Sequence, residues 1–331
     1  MPENQPPIAQ VGLVAIGRNE GDRLRKCIKS VMGRANKVVY VDSGSTDDSV
    51  AMAKSHGVVV VELDMARPFT AARARNEGFR YLCKEAPELN YVQFVDGDCE
   101  VVPGWLEKAV LFLNENKDAA VVCGRRRERF PSRSLYNMLC DMEWDTPVGE
   151  AKYCGGDAMM RANALERVGG YREDMIAGEE PELCVRFRAA GWKIWRLGEE
   201  MTLHDASMTR IGQWWKRNKR AGYAYAHGAH LHGTPPERYG VRQSRSAWVW
   251  GLGIPVVTIG LVILVSLWGV AILIIYPLQI VRLALRRRRS GNDIWWRALF
   301  LMLGKFPEMV GQINFLYNRL AGKTAHLIEY K

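Results

Sequence analysis

Short apolar runs alternate, along the first half of the chain, with segments in which apolar residues recur at helical spacing. The runs predict five buried strands, at 11–16, 37–42, 58–63, 91–96 and 119–123. The segments between them predict helices, at 24–31, from a cap at Thr46 through Ala53, at 70–83 and at 103–114. Strands that alternate with helices form a parallel sheet whose faces the helices cover. The pattern therefore predicts an α/β domain with a mostly parallel sheet.

The strand that begins at Tyr91 ends in two acids with a glycine between them, Asp96-Gly97-Asp98. Carboxylates at the end of a buried strand are costly unless a cation meets them. A divalent metal such as Mg²⁺ does so, because it binds one or two carboxylates together with substrate phosphates. Gly97 lets the backbone turn both acids toward one point. The alternative is a polar turn that only closes the strand.

Polar side chains follow several of the predicted strands at the point where each strand ends. In an open α/β sheet, ligands bind beyond the carboxyl ends of the strands. A ligand site at this edge is therefore predicted from the residues that fall there: Arg18, Asn19, Glu20, Asp42, Ser43, Asp96 and Asp98.

Four short stretches carry a family resemblance: Ile16–Glu20, Val41–Asp47, Ala74–Gly78 and Asp96–Asp98. Their order and spacing, within residues 11 to about 215, resemble glycosyltransferase family 2. The resemblance implies the GT-A fold, which has a Rossmann-like mixed sheet, and a nucleotide-diphosphate sugar as donor.

The resemblance also implies roles for individual residues. The nucleotide-sugar site would comprise residues of the matched motifs: Asn19, Glu20, Asp42, Ser43, Arg75, Asn76, Asp96 and Gly97. Asp42 would contact the nucleobase, and a Mg²⁺ or Mn²⁺ ion would bridge Asp98, and also Asp96, to the diphosphate. His204 is a further candidate metal ligand, and the alternative that it is an ordinary packed histidine stays open. The alternatives are that Arg75 is a solvated helix charge and that Asp42 only caps its own turn.

Two later segments resemble the acceptor side of the family. Asp157, in Cys154-Gly-Gly-Asp157, resembles the acid of the acceptor loop. Family members have Glu-Asp where this chain has Glu179-Glu180, and the second acid is the catalytic base in inverting members. Glu180 is therefore the predicted base, with Glu179 as its rival. Pro181 is predicted to open the following helix, whose dipole favours acids in its first turn.

Charge and cysteine content narrow the class of protein. The net charge is +10, and such a basic excess suits phosphate-bearing ligands or anionic lipid. Nucleic acid is a less favoured ligand than either of these, so no nucleic-acid partner is predicted. One of the three residues Arg125–Arg127 is a candidate for binding phosphate, and the sequence does not indicate which of them it is. The seven cysteines contain no C-x-x-C pair, which argues against a disulfide framework or a zinc site.

The membrane part is predicted from a long uncharged run. No charged residue occurs between Arg245 and Arg282, a run of 36 positions, whereas one span needs about 20. Basic residues flank the run on both sides, and they prefer the cytoplasmic side. A hairpin that turns near 266–269 is therefore predicted, with one long tilted helix as the alternative. Residues 294–320 read as interfacial amphipathic helices.

These observations predict five parts. They are a flexible N-terminus (1–10) without a signal peptide, a GT-A domain (11–232), a linker (233–245), the membrane hairpin or tilted helix (246–285) and a basic, amphipathic C-terminal region (286–331). The catalytic domain is placed in the cytoplasm, at the bacterial inner membrane.

The resulting hypothesis is an inverting, metal-dependent hexosyltransferase that acts on a hydroxyl of a lipid-linked or membrane-proximal saccharide acceptor, in cell-envelope polysaccharide or glycolipid synthesis. Two alternatives stay open: a polyprenyl-phosphate glycosyltransferase, and a non-catalytic membrane scaffold that binds sugar nucleotides. The sequence leaves undetermined the sugar, the nucleotide, the acceptor, the number of crossings, and whether the chain forms a homo-oligomer.

Overall fold

The computed structural model describes residues 10–286 and 293–323, and it divides them into two compact units between Ser207 and Met208. The predicted flexible N-terminus and most of the arginine run at 286–289 lie outside the described residues. The predicted end of the first domain, residue 232, falls at the end of a helix that belongs to the second unit. The five predicted parts stay a prediction.

The first unit is built on one nine-stranded sheet. Its strands are β1 (Val11–Gly17), β2 (Lys37–Asp42), β3 (Val59–Glu62), β4 (Tyr91–Asp96), β5 (Cys99–Val101), β6 (Ala119–Glu128), β7 (Gly149–Glu150), β8 (Ala158–Arg161) and β9 (Lys193–His204). The order is β3-β2-β1-β4-β8-β6-β9-β5, with β7 beside β9. β1 to β4 are parallel, and β8 runs antiparallel between β4 and β6. The predicted mostly parallel α/β sheet is confirmed.

The helices of the first unit cover this sheet. They are α1 (Asp22–Val31), α2 (Ser49–Ser55), α3 (Ala71–Glu85), α4 (Trp105–Glu115), α5 (Leu135–Trp144), α6 (Ala162–Arg167) and α7 (Glu179–Ala189). The core between the layers is apolar, with Leu13, Phe94, Trp105 and Phe187 fully buried. Burial of this surface is the main favourable term that holds the helices on the sheet.

Two predicted helix starts are wrong. Helix α2 begins at Ser49 rather than after Thr46, because the Thr46 N–H donates to Asn19 Oδ1 and the Asp47 carboxylate accepts the Ser49 N–H instead. Helix α7 begins at Glu179, two residues before Pro181. Gly178 precedes it in a left-handed conformation, φ 79°, which glycine adopts without strain. Both acids therefore lie in the first helical turn.

We expect Gly78→Ala to lower the free energy of unfolding by about 1–3 kcal/mol through overpacking. A Cβ at Gly78, on α3, would lie 2.3 Å from Val14 Cγ1 on β1 and 3.0 Å from Val41 Cγ2 on β2. Urea unfolding of the full chain in detergent measures the loss. Gly198→Ala is the matched control, since nothing lies within 4 Å of a Cβ there. Equal stability of the two variants would contradict this account of the glycine.

The second unit is helical. It comprises α8 (Ile211–His232), α9 (Val241–Trp248), a π-helical turn (Val249–Gly253), α10 (Ile254–Leu264), a 3₁₀ segment (Leu267–Ile274), α11 (Ile275–Leu285), α12 (Asp293–Leu303) and α13 (Lys305–Leu320). Helices α8 and α13 approach closely through glycines. A Cβ at Gly222 would lie 1.9 Å from the Glu308 carbonyl oxygen, and one at Gly311 would lie 1.9 Å from that of Lys219.

The apolar run folds back on itself. The chain leaves the helical conformation at Val265 and Ser266, where Ser266 is extended and its hydroxyl accepts the Trp268 N–H. Across the hairpin, the Tyr276 hydroxyl donates to the Trp250 carbonyl oxygen at 2.5 Å. The stretches 241–264 and 267–285 are each long and apolar enough to cross a membrane.

Candidate active site

The loops after β1 and β2 are tied together by Asn19. Its backbone φ is 55°, a left-handed value that asparagine tolerates better than most residues. The Asn19 N–H donates to Ser45 Oγ at 2.9 Å, and Asn19 Oδ1 accepts the Thr46 N–H at 2.7 Å. This pair of bonds fixes the two loops beside each other at the carboxyl edge of the sheet.

Asp42 is buried, and the loop that follows it closes on its carboxylate. One oxygen accepts from the Tyr40 hydroxyl at 2.8 Å, and the other accepts the Gly44 and Ser45 N–H groups at 2.9 and 2.8 Å. These contacts match the alternative in which Asp42 holds its own turn. Its role toward a nucleobase stays a prediction, as does that of Ser43, whose N–H donates to the Gly17 carbonyl oxygen at the end of β1.

Asp96, at the end of β4, lies between two guanidinium groups. Arg75 Nη2 lies 2.8 Å from Oδ1, and Arg126 Nη2 lies 2.9 Å from Oδ2. Burial by itself would raise the pKa of Asp96, but Arg75 and Arg126 outweigh it and hold that pKa well below its usual range. Asp96 is therefore a fixed anion at neutral pH, shared by two cations.

Arg75 is an almost fully buried side chain of α3, not a solvated helix charge. Besides Asp96 it pairs with Glu179, at 2.7 Å between Nη1 and Oε1. Burial opposes the charge on Arg75, but the two carboxylates outweigh it and raise its pKa. The alternative of a solvated charge is wrong, because the arginine joins the start of α7 to the end of β4.

Asn76, the neighbour of Arg75, points elsewhere. Its amide nitrogen donates to the Tyr171 carbonyl oxygen at 2.8 Å, and its amide oxygen accepts the Tyr171 N–H at 2.8 Å. Asn76 thus holds the turn at 170–173, and within the described residues it makes no hydrogen bond to Asp96. Its predicted place near the nucleotide stays a prediction.

Asp98 and His204 face each other, with Asp98 Oδ2 at 3.3 Å from His204 Nε2. Behind the ring, Glu128 Oε2 lies 3.7 Å from Nδ1. Burial, together with the charge of Arg126, lowers the pKa of His204, so the imidazole is neutral at pH 7. A neutral imidazole with a carboxylate behind it, next to a second carboxylate, is a donor set that suits a divalent cation. The residues fit the metal that the resemblance implies.

The Asp98 loop is shaped by Gly97, whose N–H donates to the Ile16 carbonyl oxygen at 2.7 Å. A Cβ at Gly97 would lie 3.1 Å from that oxygen and 3.4 Å from Glu20 Cγ. The Glu20 carboxylate itself pairs with Arg23 at 2.8 Å. Glycine therefore permits the close approach of the two loops that brings Asp98 to the site.

Arg126 is the one of the three candidate arginines that reaches Asp96 and Asp157. Its Nε lies 3.4 Å from Asp157 Oδ2, and its guanidinium stacks over the Trp144 ring at 5.1 Å. Arg125 instead pairs with Asp141 at 3.1 Å, and Arg127 makes an exposed pair with Glu200. Register shifts on either side of Arg125 break the simple alternation along β6, so no local signal in the sequence separates the three.

Asp157, on the loop before β8, is 0% exposed. Its Oδ1 accepts the Asp96 N–H at 3.0 Å, and its Oδ2 accepts the Thr202 hydroxyl at 2.7 Å. The carboxylate thus holds the end of β4 against β9. The predicted contact of Asp157 with an acceptor stays a prediction, and the structure places this side chain inside the protein.

Glu180 lies beside Glu179 in α7 but has different partners. Its Oε1 accepts the Cys154 N–H at 2.6 Å, which anchors the 154–157 loop to the helix start. The chain of contacts from Glu179 through Arg75 and Asp96 to Arg126 brings this helix start to the edge where Asp98 and His204 meet. The site therefore combines two buried cations, Arg75 and Arg126, with two candidate metal ligands, Asp98 and His204. The start of α7 adds the carboxylate of Glu180.

Comparison with known proteins agrees with this geometry. The family model described as Glycosyl transferase family 2 matches residues 14–168. A TPR repeat-containing protein of Synechococcus elongatus is 36% identical over 212 residues, 54% of this chain and 51% of that protein. The pre-mycofactocin glycosyltransferase of Mycobacterium tuberculosis is 28% identical over 229 residues, 64% of this chain and 46% of that protein. The chain spans about half the length of these two relatives.

The fold has solved counterparts. The mannosyltransferase PcManGT from Pyrobaculum calidifontis, in complex with GDP-Man and Mn²⁺, superposes with a TM-score of 0.62 at 17% identity, covering 94% of this chain and 88% of that one. Residues 1–349 of S. aureus TarS give a TM-score of 0.50 at 13% identity, covering 95% and 92%. The family match over residues 14–168 and the shared fold together identify a glycosyltransferase family 2 domain with the GT-A fold in this chain.

Proposed function

We propose that this chain is an inverting glycosyltransferase that moves a sugar from a nucleotide-diphosphate sugar to a hydroxyl of a lipid-linked or membrane-proximal acceptor. The observation that carries the proposal is the continuous set of ion pairs Glu179–Arg75–Asp96–Arg126. These pairs join the start of α7, where Glu180 follows Glu179, to the end of β4, which supports a base near the Asp98–His204 pair. The GDP-Man and Mn²⁺ bound to PcManGT support the same class of donor and cation.

In the proposed mechanism, Glu180 accepts the proton of the acceptor hydroxyl while that oxygen attacks the sugar carbon. Asp98 and His204 would hold Mg²⁺ or Mn²⁺, which neutralises the leaving diphosphate when bound. Arg126 supplies a rigid guanidinium that stacks on Trp144 and is suited to phosphate oxygens. Asp157 keeps Asp96 and Arg126 in place from inside the protein.

The carboxylate at Glu180 also separates this function from its first alternative. A polyprenyl-phosphate acceptor is already an anion and needs no base, so a base at the start of α7 argues for a hydroxyl. The second alternative, a scaffold without catalysis, needs no base either, so the same carboxylate argues against it. These arguments favour transfer to a hydroxyl.

The activity is tested with the full chain in detergent, a panel of nucleotide sugars, Mn²⁺ and a membrane lipid extract as the source of acceptor. We expect one nucleotide sugar to raise the unfolding temperature and to transfer its labelled sugar to the extract. A product that survives mild acid agrees with a glycoside, whereas an acid-labile product points to a phosphate linkage. Donor binding without transfer or hydrolysis would favour the scaffold.

We also propose that the apolar hairpin inserts in the bacterial inner membrane. Its turn exposes large apolar side chains, with Leu264 83% and Trp268 86% accessible. Such a surface is stable in hydrocarbon and costly in water. The exposed Trp295 and Trp296 on α12 suit the membrane interface.

We predict a cytoplasmic position for a reporter protein fused after residue 290, which lies outside the described residues. Basic residues prefer the cytoplasmic side, and they flank the hairpin at both ends, for example Arg245 and Arg282. A fusion after Gly233 provides the cytoplasmic reference. A periplasmic position at 290 would exclude an even number of crossings.

A further inference from the structure

We propose that Cys154 and Cys184 are positioning residues for the base: their thiols hold one oxygen of Glu180 and leave its second oxygen for the acceptor proton. The inference rests on the proposed function, in which Glu180 is the base. It adds two cysteines to the site: Cys154 lies within the matched segment 14–168, and Cys184 lies beyond it.

Three donors converge on a single oxygen of Glu180. Oε1 lies 2.6 Å from the Cys154 backbone nitrogen, 3.1 Å from Cys154 Sγ and 3.0 Å from Cys184 Sγ. The two sulfur atoms are 3.7 Å apart. Cys154 Sγ also lies 3.5 Å from the Gly155 carbonyl oxygen, a longer contact than the one to Glu180. The carboxylate is thus fixed from the loop and from its own helix.

The other oxygen, Oε2, has a different environment. Every hydrogen bond that Glu180 accepts within the described residues is to Oε1, and Oε2 accepts none there. The residue as a whole keeps 6% of its surface exposed. One anchored oxygen and a second without a protein partner suit a general base, because the second oxygen must accept the proton of the acceptor hydroxyl.

Both thiols are in the form that can donate. Burial raises the pKa of Cys184 to about 11, and burial together with the Cys184 contact raises that of Cys154 well above its ordinary value. At neutral pH each sulfur therefore carries its proton. A thiol is a weak donor, but a carboxylate acceptor strengthens the bond.

Two further ionisable groups near Glu180 keep their protons at neutral pH. The Cys123 thiol and the Tyr171 phenol are buried, and burial raises the pKa of each well above neutrality. Glu179, the neighbour of Glu180, pairs with Arg75 at 2.7 Å. The side chains that donate to Glu180 within the described chain are therefore those of Cys154 and Cys184.

The test compares Cys184→Ala, Cys184→Ser and Cys123→Ala in the full chain in detergent, with the nucleotide sugar that gives the largest thermal shift. Cys123 is the matched control, because its thiol is equally buried and makes no hydrogen bond to Glu180 within the described chain. Alanine at either site removes a similar volume from the core, so the two variants lose comparable stability.

We expect Cys184→Ala to lower kcat about three- to tenfold, the factor that one net hydrogen bond corresponds to, with the donor KM unchanged. Cys184→Ser keeps a donor and should restore kcat. Cys123→Ala should keep the original kcat within about twofold.

If folded Cys184→Ala keeps the original kcat, or if serine fails to restore it, the thiols only fill space and the proposal is overturned. Glu180→Gln, measured in parallel, distinguishes failure of the positioning role from failure of the base assignment. A strongly impaired Glu180→Gln with a normal Cys184→Ala rejects the positioning role alone. A fully active Glu180→Gln rejects Glu180 as the base and the positioning role with it.

Discussion

Glu180→Gln is expected to lower kcat by about 10²–10⁴-fold while donor affinity stays nearly unchanged. Glutamine keeps the shape of the side chain, and its carbonyl oxygen can still accept the Cys154 N–H, but it has lost the proton affinity of a carboxylate. Turnover at saturating donor, together with donor binding by calorimetry, gives the two quantities separately. Unchanged donor affinity shows that the fold and the donor site survive.

Glu179→Gln is the matched control for that variant. Its Oε1 pairs with the buried Arg75, so we expect it to cost stability more than turnover. If Glu179→Gln proves to be the inactive variant, the residue assignment is wrong although the mechanism survives. If both variants turn over normally, the hydroxyl-acceptor mechanism fails and the phosphate-acceptor alternative becomes the better explanation.

Asp98→Asn is expected to abolish transfer and to weaken Mn²⁺ binding by at least about 100-fold. The substitution removes a negative charge from the buried pair that Asp98 forms with His204, without changing the volume of the side chain. Mn²⁺ titration by electron paramagnetic resonance measures binding independently of activity. Thermal unfolding of the full chain reports whether the fold is intact.

Asp118→Asn controls for the loss of one aspartate elsewhere in the unit. Asp118 pairs with Lys193 at the surface, at 2.7 Å, in a contact of the kind that contributes little to stability. It should bind Mn²⁺ and transfer sugar as the unchanged protein does. Normal transfer by Asp98→Asn, or by the unchanged protein in excess chelator, would refute a metal-dependent mechanism.

The sheet and its ligand edge were predictable because their signal is local. A short apolar run that ends in polar residues identifies a strand and its carboxyl end, and parallel strands place those ends together. Asp96 and Asp98 follow β4 as predicted, and the predicted hairpin region contains the break at Ser266. None of these features depends on which distant side chains meet.

The choice among the three arginines depends on long-range pairing. Strand β6 continues past Cys123 because it pairs with β9, and register shifts on either side of Arg125 change which residues face the site. A register shift changes the face of the sheet on which the following side chains lie. The strict alternation of side chains from the apolar run therefore does not identify Arg126. Asn76 is a similar case, because its amide partners lie 95 residues away.

The sequence by itself determined the α/β class, the sheet edge that carries the chemistry, the acids at that edge and the uncharged run of the second unit, because each follows from residue type and short spacing. Only the tertiary structure decided that Arg75 and Arg126 share Asp96, that Asp157 is enclosed, and that two cysteines anchor Glu180. Together with the Arg75–Glu179 pair, those pairings join residues from 4 to 104 positions apart. The free energies of these contacts depend on burial and on the positions of the donors, and both are set only when the sheet assembles.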